Sequence, residues 1–295
     1  MIEIANLEIT EEKKESENSD INIESSDISE ENNDNSTFQP TAEIKNFENE
    51  KDYYIEEENE YENDQNLQLN IEASVRNGFI RKVYGILSIQ LIITFTFVLL
   101  FQLPSIKNLI LSNIQLAGNI LIFSSISFLF LFLILACCRN LSKTVPYNYI
   151  FLLGITLSEA LSCSIVSSCY SFEIVAISLF LTIVSTLTIT FYACTTKNDF
   201  SYLRVILLII FSQLFMVGFI SVLFRIQILY SFYTFLSTIM VGIYLVYDTQ
   251  LIMGKFGYAY SVDDYIFATL EIYMDIIRLF LLILRILAQA SSKKH

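Results

Sequence analysis

The chain has 295 residues, 54% of them apolar and 17% charged, with a mean hydropathy of +0.52. The charge is unevenly placed: Met1 to Glu72 hold 23 acids against 4 lysines, a net of −19, and the remainder holds 8 acids and 14 bases, a net of +6. So few charges over so apolar a remainder cannot cover a soluble globule, whose residues are about one quarter charged, which excludes a single water-soluble enzyme domain. The acidic tail has no apolar clusters to build a core, so large folded domains outside the membrane are excluded as well.

Residues 1–73 are read as a disordered acidic tail, rich in Glu, Asn and Ser, because they bury too little apolar surface to offset the entropy of ordering. Its first twenty residues lack the basic start and apolar core of a cleaved signal peptide, so insertion is expected to rely on the first membrane helix. Residues 74–290 form the membrane domain, and 291–295 a short basic tail. Apolar stretches near the roughly 20 residues that cross a bilayer as a helix lie at Tyr84 to Leu103, Leu116 to Cys138, Tyr147 to Cys169, Ile174 to Cys194, Val205 to Phe224, Ile226 to Tyr247 and Tyr265 to Ala290. None alternates with period two, and lipid demands that backbone polar groups be satisfied internally, so the fold class is all-α: a polytopic bundle of seven helices.

The short-loop bases give the orientation. Arg76, Arg81, Lys82, Arg139, Lys143, Lys197, Arg204 and Lys255 lie on the side of the tail, against Lys107 and Arg225 opposite, which places the N-terminus in the cytosol. Seven full crossings carry Lys293 and Lys294 to the far side, whereas a last segment that dips in and returns keeps them cytosolic; both arrangements fit the pattern.

Five cysteines, an odd number, all in or beside apolar runs, argue against a disulfide framework. The single histidine is the last residue, His295, which removes Ser/His and Cys/His catalysis and histidine-ligated metal chemistry. The ionisable residues inside apolar segments therefore carry the functional signal. They are Glu159 in the third segment, Asp248 at the end of the sixth, and Glu271, Asp275, Arg278 and Arg285 in the seventh. At about 100° per residue, Asp275 stands roughly 40° from Glu271, Arg278 about −20° and Arg285 about −40°, one stripe on one helix, which Asp264 extends. Such a helix belongs in the centre of the bundle, facing a cavity.

If Asp248 reaches the level of Asp275, two carboxylates meet in a low-dielectric interior. They can hold one proton and close, or lose it and separate, as a pH-dependent latch, and they can bind a hard cation such as calcium through oxygen. The competing reading is that the arginines merely neutralise the acids in structural ion pairs. Glu159 has no base within a helical turn and needs a partner from another helix, a proton or a cation.

The segments VRNGFIRKVYGILSIQLIITFTFVLLF, VPYNYIFLLGITLSEA, GIYLVYDTQLIMG and VDDYIFATLEIYMDIIRLFLLILRIL resemble the Bax inhibitor-1 family, in particular its Lifeguard branch, the transmembrane Bax inhibitor motif proteins. The resemblance runs from about Ser74 to Leu287; its most specific part is YDTQ followed by DDYIFA and the block around Asp275. It implies a seven-helix bundle around the last helix, residence in endoplasmic reticulum or Golgi membranes, suppression of cell death, and a pH-sensitive calcium leak. By the same resemblance Asp248 and Asp275 are the aspartates that share a proton and gate the pore. Arg139, at the end of the second segment, supplies the opposing charge. Arg278 departs from the family pattern, which commonly has Asn there, and adds a fixed positive charge three residues from Asp275.

Two functions follow. One is a calcium leak with membrane lipids and calcium ions as partners, with Asp248, Asp275, Glu159, Glu271 and Asp264 as pore or cation contacts and no resident cofactor. The other is a non-conducting scaffold that regulates cell-death proteins by contact. Neither is an enzyme, and neither involves nucleic acid. An intramembrane aspartyl protease lacks its glycine-flanked aspartate motif in EIYMDII. Two sequons, Asn35-Ser36-Thr37 and Asn140-Leu141-Ser142, lie on the predicted cytosolic side. Both are expected to stay unglycosylated, so endoglycosidase treatment of protein from a eukaryotic host should leave its gel mobility unchanged; a shift would invert the topology.

Overall fold

A computed structural model describes the backbone over residues 42–196, 203–255 and 260–292; the side chains of 42–60, 139, 203–204 and 292 lie outside the described residues. The chain divides into two units, Met1–Gln65 and Asn66–His295. The described residues form helices and no strand: α1 (Ala42–Phe101), α2 (Pro104–Ser112), α3 (Ile114–Cys137), α4 (Arg139–Lys143), α5 (Tyr147–Ser168), α6 (Phe172–Thr195), α7 (Leu203–Leu223), α8 (Gln227–Met253), a 3₁₀ turn (Val262–Asp264) and α9 (Tyr265–Ser292).

Most of the acidic tail expected to be disordered, residues 1–41, lies outside the described residues; from Ala42 the described backbone is helical. Every side chain from Tyr61 to Val75 is exposed. A charge-rich composition denies a segment a core without denying it a helix, and Glu, Gln, Lys and Leu are good helix formers.

Six helices (α1, α3, α5, α6, α7 and α8) are long and apolar enough to cross a membrane. Their exposed surface is largely Leu, Ile, Phe and Val, with Phe123 at 75% and Ile228 at 85% exposure, as a lipid-facing surface requires. α1 turns inward a stripe at helical spacing: Phe79, Val83, Leu87, Gln90, Thr94 and Val98. Its polar members find partners, Gln90 Nε2 donating to Thr156 Oγ1 at 2.8 Å and Thr94 Oγ1 lying 2.8 Å from the Tyr273 hydroxyl. The serines of α5 let α3 approach closely, with Ser124 and Ser162 hydroxyls 2.8 Å apart and Ser158 reaching Ser127 at 3.2 Å. All five cysteines are free.

α9 is the centre of the bundle, packed against α5, α6 and α8. From Tyr265 to Leu284 every residue except Arg278 is buried or partly so. Its 28 residues form one unbroken helix of about 42 Å, but with four ionisable residues on it α9 is not among the six described helices that are long and apolar enough to cross a membrane, where the sequence reading expects seven crossings. The sixth segment runs further than its apolar stretch suggests: α8 continues past Tyr247 to Met253. The polar residues Thr249 and Gln250 stay helical because they face the protein interior, where both are fully buried. Asp248 therefore sits more than a turn inside the helix.

Basic side chains hold the helix ends on the side where α1 enters the bundle. α8 stops at Gly254, whose φ of +77° is left-handed, and the Arg76 guanidinium donates to the Leu251 carbonyl at 2.8 Å. Lys255 Nζ donates to the carbonyls of Ala193, Cys194 and Thr196 at 2.8, 3.1 and 2.6 Å, capping the end of α6. Lys143 of α4 lies 3.1 Å from Asp264, whose Oδ2 also accepts from the Ser261 hydroxyl at 2.8 Å and amide at 3.2 Å. Partial burial pushes the Asp264 carboxyl up, but the Ser261 and Lys143 contacts outweigh it and hold the group below the usual aspartate range.

A Cβ at Gly254 would stand 3.0 Å from Arg76 Nε in a left-handed conformation, so Gly254→Val should lower thermal stability in detergent, by about 1–2 kcal/mol. Gly118→Ala, where a Cβ meets nothing within 4 Å, should be neutral or stabilising. The depressed Asp264 carboxyl contributes stability that is complete above the ordinary aspartate range and lost as pH falls through its own lower value. Asp264→Asn should thus lower the melting temperature at neutral pH, the pair being worth about 0.2–1 kcal/mol. The difference from wild type should close below about pH 4.

Candidate functional site

The site begins with two facing helices. On α8, Tyr244 and Asp248 are one turn apart; on α9, Glu271, Asp275 and Arg278 follow each other within two turns. The packing of α8 on α9 brings the carboxyls of Asp248 and Asp275 into direct interaction. Asp275 is 4% exposed. Its Oδ1 lies 3.7 Å from Arg278 Nη1, while its Oδ2 is buried with no hydrogen-bond partner in the protein. A buried carboxylate oxygen without a donor is costly by a few kcal/mol, and beside a second carboxyl the cost is relieved by a proton held between them or by a cation.

Arg278 is the one exposed residue on the buried length of α9, with 56% of its side chain accessible. Its charge acts on Asp275 and Asp248, and through space also on Glu159 of α5, although among the described residues Glu159 forms no ion pair within 4 Å. Glu159 is otherwise approached by the Cys163 thiol, 3.9 Å from Oε1. Glu271 accepts a hydrogen bond from the Tyr260 hydroxyl. Asp264 does not continue the stripe: it lies in the 3₁₀ turn before α9 and is tied to Lys143, at the end of the bundle. Arg139 opens α4, and its side chain lies outside the described residues.

A cavity of about 370 Å³ opens between α7, α8 and α9. Asp275, Arg278 and Arg285 line it from α9, with Tyr233, Ser237 and Tyr244 from α8 and Phe211 and Leu214 from α7. Neither Asp248 nor Glu159 is among its lining residues, so Asp275 alone of the acids faces that space. Among the described residues no three His, Cys, Asp or Glu side chains converge as a metal site. Two carboxylates supply fewer oxygens than the six to eight that calcium takes, so a cation here would keep much of its water.

Several residues that support the site carry no charge pattern in the sequence. Tyr273, fully buried two residues before Asp275, is held by Thr94. Asn148 donates to the Tyr265 hydroxyl at 2.8 Å, and Lys82 sits 3.3 Å over the Tyr265 ring. The available signal was the rarity of Gln, Asn and Thr inside membrane segments, where each requires a partner.

The sequence model of the family described as Inhibitor of apoptosis-promoting Bax1 matches residues 76–292. Among curated proteins, the chain is 31% identical to Protein lifeguard 3 of Homo sapiens, over 73% of this chain and 70% of that protein. It is 34% identical to BI1-like protein of Arabidopsis thaliana, over 75% of this chain and 84% of that one. The matched span takes in the whole helical bundle and both aspartates, and six helices fit a multi-pass membrane protein. The chain belongs to the Bax inhibitor family of membrane proteins and is similar to Protein lifeguard 3, and this kinship points to an anti-apoptotic role.

Proposed function

We propose that the chain is a pH-sensitive calcium leak of an endomembrane store, with its N-terminus in the cytosol. In this reading it lowers stored calcium in the endoplasmic reticulum or Golgi and so weakens death and stress signals. The observation that supports it is the buried Oδ2 of Asp275, without a donor in the protein and next to the carboxyl of Asp248. With one proton between them the two helices are held together. When the proton leaves, two like charges in a low-dielectric site repel, and α8 and α9 part at that level. The exposed carboxylates then offer oxygen to a hard cation passing from the cavity that Asp275 lines. No bond is made or broken in the transported species, and the reading includes no catalysis.

A second reading is favoured by Arg278. Its guanidinium, 3.7 Å from Asp275, neutralises one charge of the pair and sets a positive charge in the cavity, which opposes cation passage. The chain would then act as a non-conducting scaffold that controls cell-death proteins by contact. Calcium flux through purified protein in liposomes between about pH 6 and pH 8 separates the two. The leak reading expects flux that rises as the pair ionises. Asp248→Asn and Asp275→Asn should shift or remove that dependence, and Arg278→Asn should raise the flux. Wild-type flux no greater than that of empty liposomes at every pH overturns the leak and favours the scaffold.

A further inference from the structure

The opposite end of the bundle, where α7 turns into α8 and α9 finishes, holds a second cavity of about 950 Å³. Its polar lining includes Arg225, Arg285, Gln227, Gln289 and the two tyrosines Tyr170 and Tyr230. No acid lines it, and among the described residues neither arginine lies within 4 Å of a carboxylate, the two ion pairs present being Lys143 with Asp264 and Arg278 with Asp275. Glu173, the acid at this end of the described bundle, is exposed at the start of α6 and is not part of the lining. Lys107, which donates to the Tyr170 carbonyl, adds a further positive charge behind the wall.

Arg285 is held by an aromatic ring rather than by an anion, and Arg225 is exposed on the link beside it. Arg285 is half-buried, with its guanidinium 5.3 Å over the ring of Tyr230. Stacking fixes the plane of the fork and leaves its N–H edges to donate elsewhere. Arg225 takes φ of +53° in the three-residue link between α7 and α8. That left-handed conformation costs an arginine about 1–2 kcal/mol and is seen where a turn or a ligand clamp requires it. Two guanidiniums beside apolar Val222, Ile226 and Ile228, without a protein counter-ion, favour an anion, and the forked donors match phosphate oxygens in pairs. The level is also right for a membrane phosphate, since the cavity lies where two crossing helices end.

We propose that this cavity is a phosphate-binding site in which Arg225 and Arg285 grip the phosphate of an anionic lipid headgroup or of a free phosphate. It is separate from the aspartate pair: Asp275 stands ten residues before Arg285 on α9, about 15 Å along the helix. The site holds whether or not the chain conducts calcium.

The test uses the full chain in phosphatidylcholine nanodiscs, wild type against Arg225→Gln/Arg285→Gln, Arg225→Lys/Arg285→Lys and the remote control Arg81→Gln. Phosphatidic acid titrated into the discs, read by native mass spectrometry, should bind wild type and Arg81→Gln saturably at one site. The double glutamine variant should bind on the order of tenfold more weakly, and the double lysine variant should fall between, because it keeps charge without the fork. Inorganic phosphate is then added as competitor: displacement assigns the site to phosphate from either source, and failure to displace assigns it to the lipid headgroup. The proposal is overturned if wild type binds neither probe, or if the glutamine variant binds phosphatidic acid as tightly as wild type. Should the glutamine variant fail to fold by thermal melting, the lysine variant decides alone. Affinity equal to wild type, with no loss from removing the forks, rejects the site, and a severalfold loss upholds it.

Discussion

Asp275 stands near the middle of the most enclosed helix of this bundle with 4% of its surface exposed, and an unpaired charge in such a place costs several kcal/mol. The rest of the arrangement answers that cost. α9 is surrounded by α5, α6 and α8, which keep lipid away from its polar stripe. Asp248 is carried to the same level by an α8 that extends past its apolar stretch. Arg278 partners one oxygen of the carboxylate and leaves the other without a donor. In the proposed reading, a proton or a cation would satisfy that oxygen, which is what would give the pair two states for pH to choose between.

Bases do different work at the two ends of the bundle. Where α1 enters, Arg76, Lys143 and Lys255 are consumed by helix termini and by Asp264. The carbonyls at helix C-termini are the negative ends of their dipoles, so cations settle there at little cost. Three of the residues that bias orientation thus also lock the ends of α6 and α8 and the turn before α9. At the far end Arg225 and Arg285 have no such duty and face a shared cavity. Arg285 also lines the smaller cavity that Asp275 faces, so one side chain borders both spaces.

Arg278 bears on the proposed leak in two ways. A guanidinium within 4 Å of the Asp275 carboxylate neutralises part of its charge, and in that reading it also sets a fixed positive charge beside the cation path. Both effects oppose cation passage, which is why removing Arg278 and removing either aspartate give different information. Glu159 enters the same balance, because it feels Arg278 from α5.

Composition and periodicity determined the membrane class, the helical fold and the placing of most segments to within a few residues, since lipid allows only structures that satisfy their own backbone. The spacing of Glu271, Asp275, Arg278 and Arg285 on α9 determined that this helix has one polar face and needs neighbours all round. Other features depended on partners distant in sequence. That α8 runs on through Asp248, Thr249 and Gln250 was hidden, because polar residues end a hydropathy window yet remain helical when a neighbouring helix buries them. That Asp264 leaves the stripe to pair with Lys143 was hidden too, because a 3₁₀ turn breaks the 100° periodicity that had aligned it. The helical backbone from Ala42 carried no signal in the hydropathy pattern, because a segment with no core to build can still keep local hydrogen bonds. The meeting of Asp248 with Asp275, the Asp275 oxygen left without a donor and the two arginines with no carboxylate within 4 Å among the described residues were decided by tertiary packing alone, since contacts between helices depend on rotation and depth that no single segment encodes.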